Sequence, residues 1–196
     1  MTQPDTPAAV SNPSVMDVAV VLDRCQWPLY TFLRGIAGDD EQARDLVQDT
    51  FCEAWRAAQR GSAPFDVDRP EAEVRRWLFR VAYTRAISAL RRRRVIRWQS
   101  LDDPRTTPRG ALPAPPFEED VAERAAMTAA LAALSSADAA SLLLIVVHGF
   151  TAAEVSQIVG ASPQAVAKRF ARAKLRLRAA YLAQNDQPPE ADHHEH

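Results

Sequence analysis

Residues 149–172 read GFTAAEVSQIVGASPQAVAKRFAR and carry the start and stop signals of two successive helices. Thr151 and Glu154 have the spacing of a capping box, in which the threonine oxygen accepts from a backbone N–H and the glutamate reaches back to the cap. Gly160 suits the left-handed turn that follows many helices. Ser162 and the proline after it provide an N-cap and a favoured first helical residue. The stretch therefore predicts two helices joined by a tight turn.

The second of these helices is basic. Residues 163–182 contain six lysines and arginines and no acid. Two helices joined by a tight turn, with a basic second helix, are typical of a helix-turn-helix that places its second helix in the DNA major groove. The alternative is an α-hairpin whose basic face only meets solvent; it is less favoured because the cap, stop and start signals coincide with the basic run. The outward side chains available for base edges or phosphates are Gln164, Lys168, Arg169 and Arg172.

Helical periodicity also dominates the N-terminal half. Residues 40–59 place apolar side chains at every third or fourth position, which predicts an amphipathic helix. Upstream, we expect a short helix followed by a second one that Pro28 opens and Gly38 ends. Downstream, residues 71–97 predict a long helix with two adjacent apolar stripes. The expected buried stripe of the 40–59 helix contains Ala43, Leu46, Val47, Thr50, Phe51, Ala54 and Trp55.

Composition limits the possible architectures. The chain has 196 residues, 47% hydrophobic and 25% charged, which is the composition of a globular protein. Its six glycines argue against a turn-rich β architecture, and many of its fourteen prolines cluster near both ends and between residues 104 and 116. We therefore expect an all-α fold of two small helical domains joined by a proline-rich linker, the C-terminal one a helix-turn-helix. The expected boundaries are a disordered leader at 1–14, an N-terminal helical domain at 15–98, an extended linker at 99–118, a C-terminal domain at 119–183 and a disordered tail at 184–196.

Charge is strongly segregated along the chain, although the formal net charge is only −1. Residues 39–53 carry six acids and one arginine, whereas residues 71–97 carry nine arginines and two acids. Together with the basic segment at 163–182, this segregation indicates at least one polyanionic partner.

Arginines alternate with aromatic residues in the 71–97 helix. Aromatic faces stack on unpaired bases while guanidinium groups follow the backbone, which is how proteins hold single-stranded nucleic acid. The alternative is that the aromatic side chains belong to the core; it is favoured for Trp77 and stays open for Phe79 and Tyr83. The arginine run at 91–94 favours contact with phosphate. The candidate residues for this interface are Arg76, Phe79, Arg80, Tyr83, Arg91 and Arg92.

The sequence offers little for catalysis or metal binding. Cys25 and Cys52 are too few for a disulfide framework or a four-ligand zinc site, and no nucleophile–base pair or phosphate-binding loop is present. We expect no enzyme activity, no cofactor and no metal site; a metal-dependent enzyme or sensor that uses the tail histidines is a weaker alternative. The N-terminus lacks the pattern of a signal peptide, and the longest apolar run, 142–147, is too short to span a bilayer. We therefore expect a cytoplasmic protein with no membrane insertion of its own.

Separate segments of the chain resemble one family. Residues 45–51 read DLVQDTF and are followed by Ala54-Trp55, which resembles the D-L-V-Q-[ED]-T-F-x-x-A-W signature of extracytoplasmic-function (ECF) sigma factors of bacterial RNA polymerase. Residues 77–82, with the arginine run at 91–94, resemble the promoter-melting helix of that family, and residues 131–181 resemble its C-terminal helix-turn-helix. The resemblance covers residues 29–97 and 121–182.

The resemblance implies an alternative sigma factor that binds core RNA polymerase, recognises the −10 and −35 promoter elements and opens the DNA. The loop at 61–70 and the helix after it would hold a base flipped out of the −10 element, and the linker would thread toward the polymerase active-site cleft. An anti-sigma factor is the expected regulator. The residues at matching family positions are Asp45, Gln48, Asp49 and Arg56 for polymerase docking, Arg76, Phe79, Arg80, Tyr83, Arg91 and Arg92 for the −10 element, and Ser162, Gln164, Lys168, Arg169 and Arg172 for the −35 element.

The chain departs from the family pattern at a few positions. Thr84 and Ser88 stand where the promoter-melting helix often carries asparagine and aspartate, and residues 135–138 (SSAD) replace a segment that usually contains prolines and an arginine. These departures bear on the promoter sequence and on base contacts. The alternative function is a stand-alone helix-turn-helix transcriptional regulator, which needs only the C-terminal domain and leaves the acidic 40–59 helix unexplained.

Overall fold

The computed structural model describes residues 15–62, 70–99 and 121–185. Within these ranges all regular structure is α-helical, which confirms the expected all-α class. The leader, most of the linker, most of the tail and most of the 61–70 loop lie outside the described residues. The helices are α1 (Val15–Ala37), α2 (Asp40–Gln59), α3 (Glu71–Gln99), α4 (Val121–Ala132), α5 (Ser136–Val146), α6 (Ala152–Val159) and α7 (Pro163–Asn185).

Helix α1 is a single helix where the sequence analysis expected two, so that expectation was wrong. Pro28 lies inside it, and the Thr31 hydroxyl donates a hydrogen bond to the Pro28 carbonyl at 3.0 Å. A proline in a helix interior removes one backbone hydrogen bond and costs about 3 kcal/mol. Packing offsets this cost, because the residues around Pro28 bury a continuous apolar face while α1 contacts α2, α3 and α5. That face consists of Cys25, Leu29, Phe32, Leu33 and Ile36.

Helix α2 has the bounds that its periodicity predicts. Its N-cap is Asp39, whose carboxylate accepts a hydrogen bond from the Gln42 backbone N–H at 2.7 Å. The expected stripe is buried with two exceptions at its edge, since Phe51 is half-buried and Trp55 is 39% exposed. Both rings line a groove between α1 and α2. The aromatic edge of α2 is therefore accessible to a partner.

Helix α3 buries part of each of its two apolar stripes, and the remaining stripe residues are half-buried. It contacts α1 and α2, and it also contacts α6. Val74, Leu78 and Ala82 are buried in the first stripe, and Phe79 and Ala86 are buried in the second. A helix that is covered on two sides needs two apolar faces, which explains why apolar residues surround much of this one.

The C-terminal helices begin and end where the sequence signals predict. Thr151 caps α6 in a complete capping box with Glu154, and Gly160 ends that helix in the left-handed region at φ 64°. The Ser162 hydroxyl accepts a hydrogen bond from the Ala165 backbone N–H at 3.2 Å and so caps α7. These contacts are local, which is why the short sequence motif was enough to predict the turn between α6 and α7.

One apolar core extends through the helices that the sequence analysis assigned to separate domains. Helices α1 and α3 contact α5 and α6. The ring of Phe79 in α3 lies 5.1 Å from that of Phe150 and 4.8 Å from that of His148, measured between centroids. Gly35 of α1 faces Leu143 of α5 so closely that a Cβ at residue 35 would lie 2.5 Å from a Leu143 methyl carbon. The N-terminal and C-terminal helices therefore share a core in this structure.

The substitution Phe150→Ala tests the shared core. Phe150 is 4% exposed and contacts Phe79, so its truncation leaves a cavity. We expect the free energy of unfolding to fall by about 3–5 kcal/mol, as measured by urea unfolding followed by circular dichroism. The control is Leu182→Ala at a leucine that is 50% exposed, where the change stays within about 0.5 kcal/mol. An equal effect of the two substitutions would contradict the shared core.

Candidate polymerase-binding and promoter-binding surfaces

The four residues expected to bind polymerase form one exposed strip along α2, which we name the α2 strip. Asp45, Gln48, Asp49 and Arg56 are all exposed, and their separations of three, four and seven residues place them on one side of the helix. The opposite side of α2 carries its buried stripe. The structure therefore brings these four residues together on a solvent-facing surface.

Part of the charge of the α2 strip is paired with α3. A nitrogen of Arg85 lies 3.6 Å from an Asp49 oxygen, and another lies 3.3 Å from a Glu53 oxygen. Arg56 and Arg60 approach the same Glu53 carboxylate at 3.7 and 3.6 Å. Exposed ion pairs of this kind add only about 0–1 kcal/mol to stability. Asp49 stays 62% exposed, so its carboxylate remains accessible to a partner.

An apolar groove lies beside the α2 strip, between α1 and α2. Its volume is about 960 Å³, and its walls include Trp27 and Trp55, which are 56% and 39% exposed. Gln48 and Arg56 line the groove and also belong to the strip, so the two surfaces are continuous. A cluster of exposed aromatic side chains is typical of a protein-binding site. This groove could not be predicted from the spacing of Trp55, which placed that residue on the core stripe; the available signal was Trp27, which lies off the buried stripe of α1.

Two of the residues expected at the −10 element line one exposed side of α3. Arg80 and Arg91 are exposed, and their separation of eleven residues is about three helical turns, so they share a face. Arg92 is also exposed, but it lies about 100° further around the helix, where it lines a cleft with Asp45 and Asp49 of α2. Thr84, one of the departures from the family pattern, is exposed between them. A row of guanidinium groups is suited to the phosphate backbone of DNA.

The other three residues expected at the −10 element are partly or fully covered. Phe79 is fully buried. Arg76 is half-buried, and its guanidinium lies 3.9 Å from the Glu154 carboxylate of α6. Tyr83 is half-buried, and burial raises the pKa of its hydroxyl more than the nearby charge of Arg169 lowers it. In this arrangement Phe79 is not accessible to an unpaired base.

The residues expected at the −35 element lie on the first three turns of α7. Gln164 and Lys168 are exposed and lie one turn apart, whereas Arg169 is half-buried. The Ser162 hydroxyl serves as the helix cap. The start of α7 therefore presents Gln164 and Lys168 as its outermost polar side chains.

Arg172, the last of the −35 candidates, is engaged within the protein. Its guanidinium donates two hydrogen bonds to the Asp138 carboxylate of α5, at 2.6 and 3.0 Å. These bonds hold the pKa of the Asp138 carboxyl below its ordinary value, although burial opposes the shift. This pair was not predicted because its members are far apart in the chain; the only signal was the departure from the family pattern at residues 135–138.

Comparison with known proteins shows the family of this chain. Residues 22–95 match the family "Sigma-70 region 2", and residues 124–177 match "Sigma-70, region 4". The ECF RNA polymerase sigma factor SigG of Mycobacterium tuberculosis is 32% identical in a 165-residue alignment that covers 72% of this chain and 42% of that protein. The RNA polymerase sigma factor CnrH of Cupriavidus metallidurans is 32% identical in a 142-residue alignment that covers 69% of this chain and 71% of that protein. This chain belongs to the ECF sigma factors.

The fold of this sigma factor also matches that of a solved structure. The sigma factor RpoE of Bartonella quintana, in complex with the anti-sigma factor NepR, has a TM-score of 0.63 and 24% identity to this chain. The match covers 88% of this chain and 97% of that chain. A stand-alone helix-turn-helix regulator needs only the C-terminal helices. Because α1, α2 and α3 match region 2 of sigma factors, that alternative is wrong.

The described part of this sigma factor gives no positive sign of a membrane span or a metal site. Within the described ranges no helix is long and apolar enough to cross a bilayer. Across the same residues no three His, Cys, Asp or Glu side chains are grouped to hold a metal ion. Cys25 is buried and Cys52 is exposed, and both are free thiols. The tail histidines lie outside the described residues.

His148 is a titratable group at the contact between α3 and the helix-turn-helix of the sigma factor. Its ring centroid lies 4.8 Å from that of Phe79 and 5.8 Å from that of Phe32. Arg75 donates a hydrogen bond to the His148 carbonyl oxygen at 2.6 Å. Burial, together with the charge of Arg75, lowers the pKa of His148 to about 4, so the packed ring is neutral at neutral pH.

Acid is expected to weaken this contact through His148. The pKa of the side chain is ordinarily 6.5 and is about 4 when packed, so the unfolded chain binds a proton that the packed chain does not. Stability is therefore full above pH 6.5 and falls as the pH drops toward 4, by up to about 1.4 kcal/mol per pH unit. Urea unfolding of the wild type and of His148→Gln, near pH 7 and near pH 5, measures the effect. The glutamine is neutral at every pH, so an equal pH dependence of the two proteins would contradict this role.

Proposed function

We propose that this protein is an alternative sigma factor that binds core RNA polymerase, recognises the −10 and −35 elements of a promoter and opens the DNA to initiate transcription. The observation that carries the proposal is the α2 strip with its adjoining groove, a charged exposed helix face beside exposed tryptophans, on the segment that matches region 2. The proposal includes a cytoplasmic location, no cofactor and no catalytic activity of the chain itself.

Polymerase docking is assigned to the α2 strip and the groove together. Asp45 and Asp49 supply negative charge, which is complementary to lysines or arginines on a partner. Trp27 and Trp55 supply apolar area, and covering that area contributes roughly 25 cal/mol per Å². Because the strip and the groove are continuous, one partner lying across α2 covers both. Core polymerase is the partner that we assign to this surface.

DNA contact is assigned to α3 and α7. In the proposed N-terminal domain, 15–98, Arg80, Arg91 and Arg92 neutralise phosphates near the −10 element. In the proposed C-terminal domain, 119–183, α7 enters the major groove of the −35 element with its N-terminal turns forward. That end of a helix also carries partial positive charge, which favours phosphate. The linker at 99–118 joins the two proposed domains.

The covered −10 candidates require a rearrangement before they meet DNA. Phe79 and Arg76 contact residues of the helix-turn-helix, so they reach a melted strand only after that block has moved away from α3. The move exposes Phe79, whose burial contributes about 1.5–3 kcal/mol. Contacts with core polymerase offset this loss if the polymerase binds the separated arrangement more tightly than the packed one.

We extend the proposal to regulation by an anti-sigma factor. The support is that RpoE, which shares the fold, has been solved with the anti-sigma factor NepR. A regulator that occupies the groove between α1 and α2 competes directly with polymerase, since Gln48 and Arg56 belong to both surfaces. Such a regulator needs no contact with DNA.

The charge reversal Asp49→Lys is expected to abolish binding to core RNA polymerase and to leave the helical content unchanged, because Asp49 is 62% exposed and lies off the buried stripe. Asp45→Lys changes the same strip one turn earlier and is expected to weaken binding too. Glu123→Lys makes the same charge change on the exposed surface of α4 and is the control, with binding retained. Co-purification with core enzyme and circular dichroism provide the measurements. Normal co-purification of Asp49→Lys would exclude the α2 strip as the docking surface.

The free protein is expected to bind duplex promoter weakly and to gain promoter affinity only with core polymerase. Phe79 is covered in the free chain, and extracting a base from the duplex costs a few kcal/mol. Polymerase holds the two DNA-binding blocks at a fixed separation, which makes the second contact effectively intramolecular. Gel shifts with and without core enzyme, run-off transcription and permanganate reactivity of thymines near the start site measure this. Tight sequence-specific binding by the isolated chain, without stimulation of core polymerase, would contradict the proposed function.

A further inference from the structure

Asp138 forms a buried anchor for the recognition helix α7. Its side chain is fully buried in the first turn of α5, where its backbone N–H donates to the hydroxyl of the N-cap Ser135 at 3.2 Å. Oδ1 accepts from Arg172 Nη2 at 2.6 Å, and Oδ2 accepts from Arg172 Nε at 3.0 Å. Arg176, one turn further along α7, lies 3.5 Å from Oδ2. Two arginines of α7 therefore converge on one carboxylate of α5.

The positive charge of these arginines is partly neutralised by the buried Asp138 carboxylate, although Arg172 and Arg176 stay 50% and 57% exposed. Arg172 uses the paired N–H groups of its planar guanidinium on Asp138, which is the bidentate geometry of strong arginine–carboxylate pairs. The carboxylate stays ionised at neutral pH, because the Arg172 hydrogen bonds lower its pKa against the opposing effect of burial. The recognition helix therefore presents less charge to DNA than its six basic residues suggest.

The apolar cluster beside this pair mixes small and large side chains. Its buried members are Leu134, Ala139, Leu142 and Ala173, and the partly buried Leu131, Phe170 and Leu177 pack against it. The two alanines make shallow ridges, which restrict the rotation and sliding of one helix against another less than larger side chains do. The bidentate pair is directional, and it adds a restriction that apolar contacts do not supply.

We propose that Asp138 and Arg172 are a positioning pair, which sets the angle at which α7 enters the major groove and thereby determines which bases Gln164 and Lys168 reach. In this role Arg172 does not neutralise a phosphate, unlike the direct DNA contact that the family resemblance implies for it. The inference rests on the proposed contact of α7 with the −35 element and deepens it. Asp138 lies within residues 135–138, where the chain departs from the family pattern.

The test selects DNA with the complete sigma factor bound to core polymerase. The probe is a duplex promoter library with a randomised −35 element, and the readout is the base preference at each position of the bound fraction. Arg172→Lys keeps the positive charge but loses the bidentate geometry, and Asp138→Asn keeps the shape but loses the charge. We expect both variants to change the preference at the same positions by about tenfold, roughly the discrimination that one base contact supplies.

A matched control and a double variant sharpen this test. Arg178→Lys makes the same chemical change on an exposed residue of α7 and is expected to keep the wild-type preference. Asp138→Asn combined with Arg172→Lys is expected to be no worse than either single variant, since both remove one interaction. Loss of folded protein weakens binding to every sequence alike, so a shifted base preference reports positioning even in a destabilised variant.

The salt dependence of binding to random-sequence duplex separates positioning from direct contact. Loss of one phosphate contact reduces the slope of log K against log salt concentration by about 0.9. We expect Arg172→Gln to leave the slope unchanged, and a reduction by that amount would overturn the positioning pair. If the wild type selects a −35 sequence and the Asp138→Asn and Arg172→Lys variants keep the same base preference, that result would also overturn the positioning pair. A wild-type holoenzyme that selects no −35 sequence would instead contradict the proposed function, and the inference would fail with it.

Discussion

The contact between Phe79 of α3 and the helix-turn-helix is the constraint on which the rest of this structure depends. The Phe79 ring packs against Phe150 and His148, and Arg75 donates to the His148 carbonyl with its guanidinium 4.3 Å from the centroid of the Phe150 ring. Because this cluster is buried, it decides which side of α3 faces solvent. The side with Arg80 does so, and the side with Phe79 does not. The exposed surface of α3, to which we assign DNA contact, is therefore defined by residues of both halves of the chain.

The composition of this contact is suited to reversible separation. Burial of Phe79 contributes about 1.5–3 kcal/mol. Against this gain, His148 Nε2 is buried without a hydrogen-bond partner among the described residues, which costs about 1–3 kcal/mol. Arg75 also gives up part of its hydration, and its contacts with two aromatic rings and one carbonyl replace that hydration. These terms offset part of the burial of Phe79, but separation also exposes other members of the shared core, such as Leu143 and Phe150, so a partner such as polymerase must compensate for their loss as well.

Sequence reasoning predicted the features that depend on neighbouring residues. The capping box at Thr151 and the stop at Gly160 gave the turn between α6 and α7, and periodicity gave the bounds of α2. Sequence reasoning failed where the structure depends on contacts between residues that are far apart in the chain. Pro28 stays inside α1 because the surrounding apolar face is buried by other helices. Phe79 belongs to the core because the rings of Phe32, His148 and Phe150 pack against it. The exposed strip of α2 was visible as a polar face, but its adjoining groove needs the position of α1 as well.

The net charge of a segment said least about which of its residues can contact a partner. In each charged segment, some groups pair within the protein and others face solvent. Some groups pair internally, as Arg85 does with Asp49 and Glu53 and as Arg172 does with Asp138. Others, such as the exposed arginines along α3, face solvent. The net charge of a segment counts paired and unpaired groups equally, whereas a polyanionic partner contacts only the groups that stay accessible. The paired arginines also join one helix to another, Arg85 of α3 to α2 and Arg172 of α7 to α5, so the same side chains that lose net charge contribute contacts between the elements that carry the proposed surfaces.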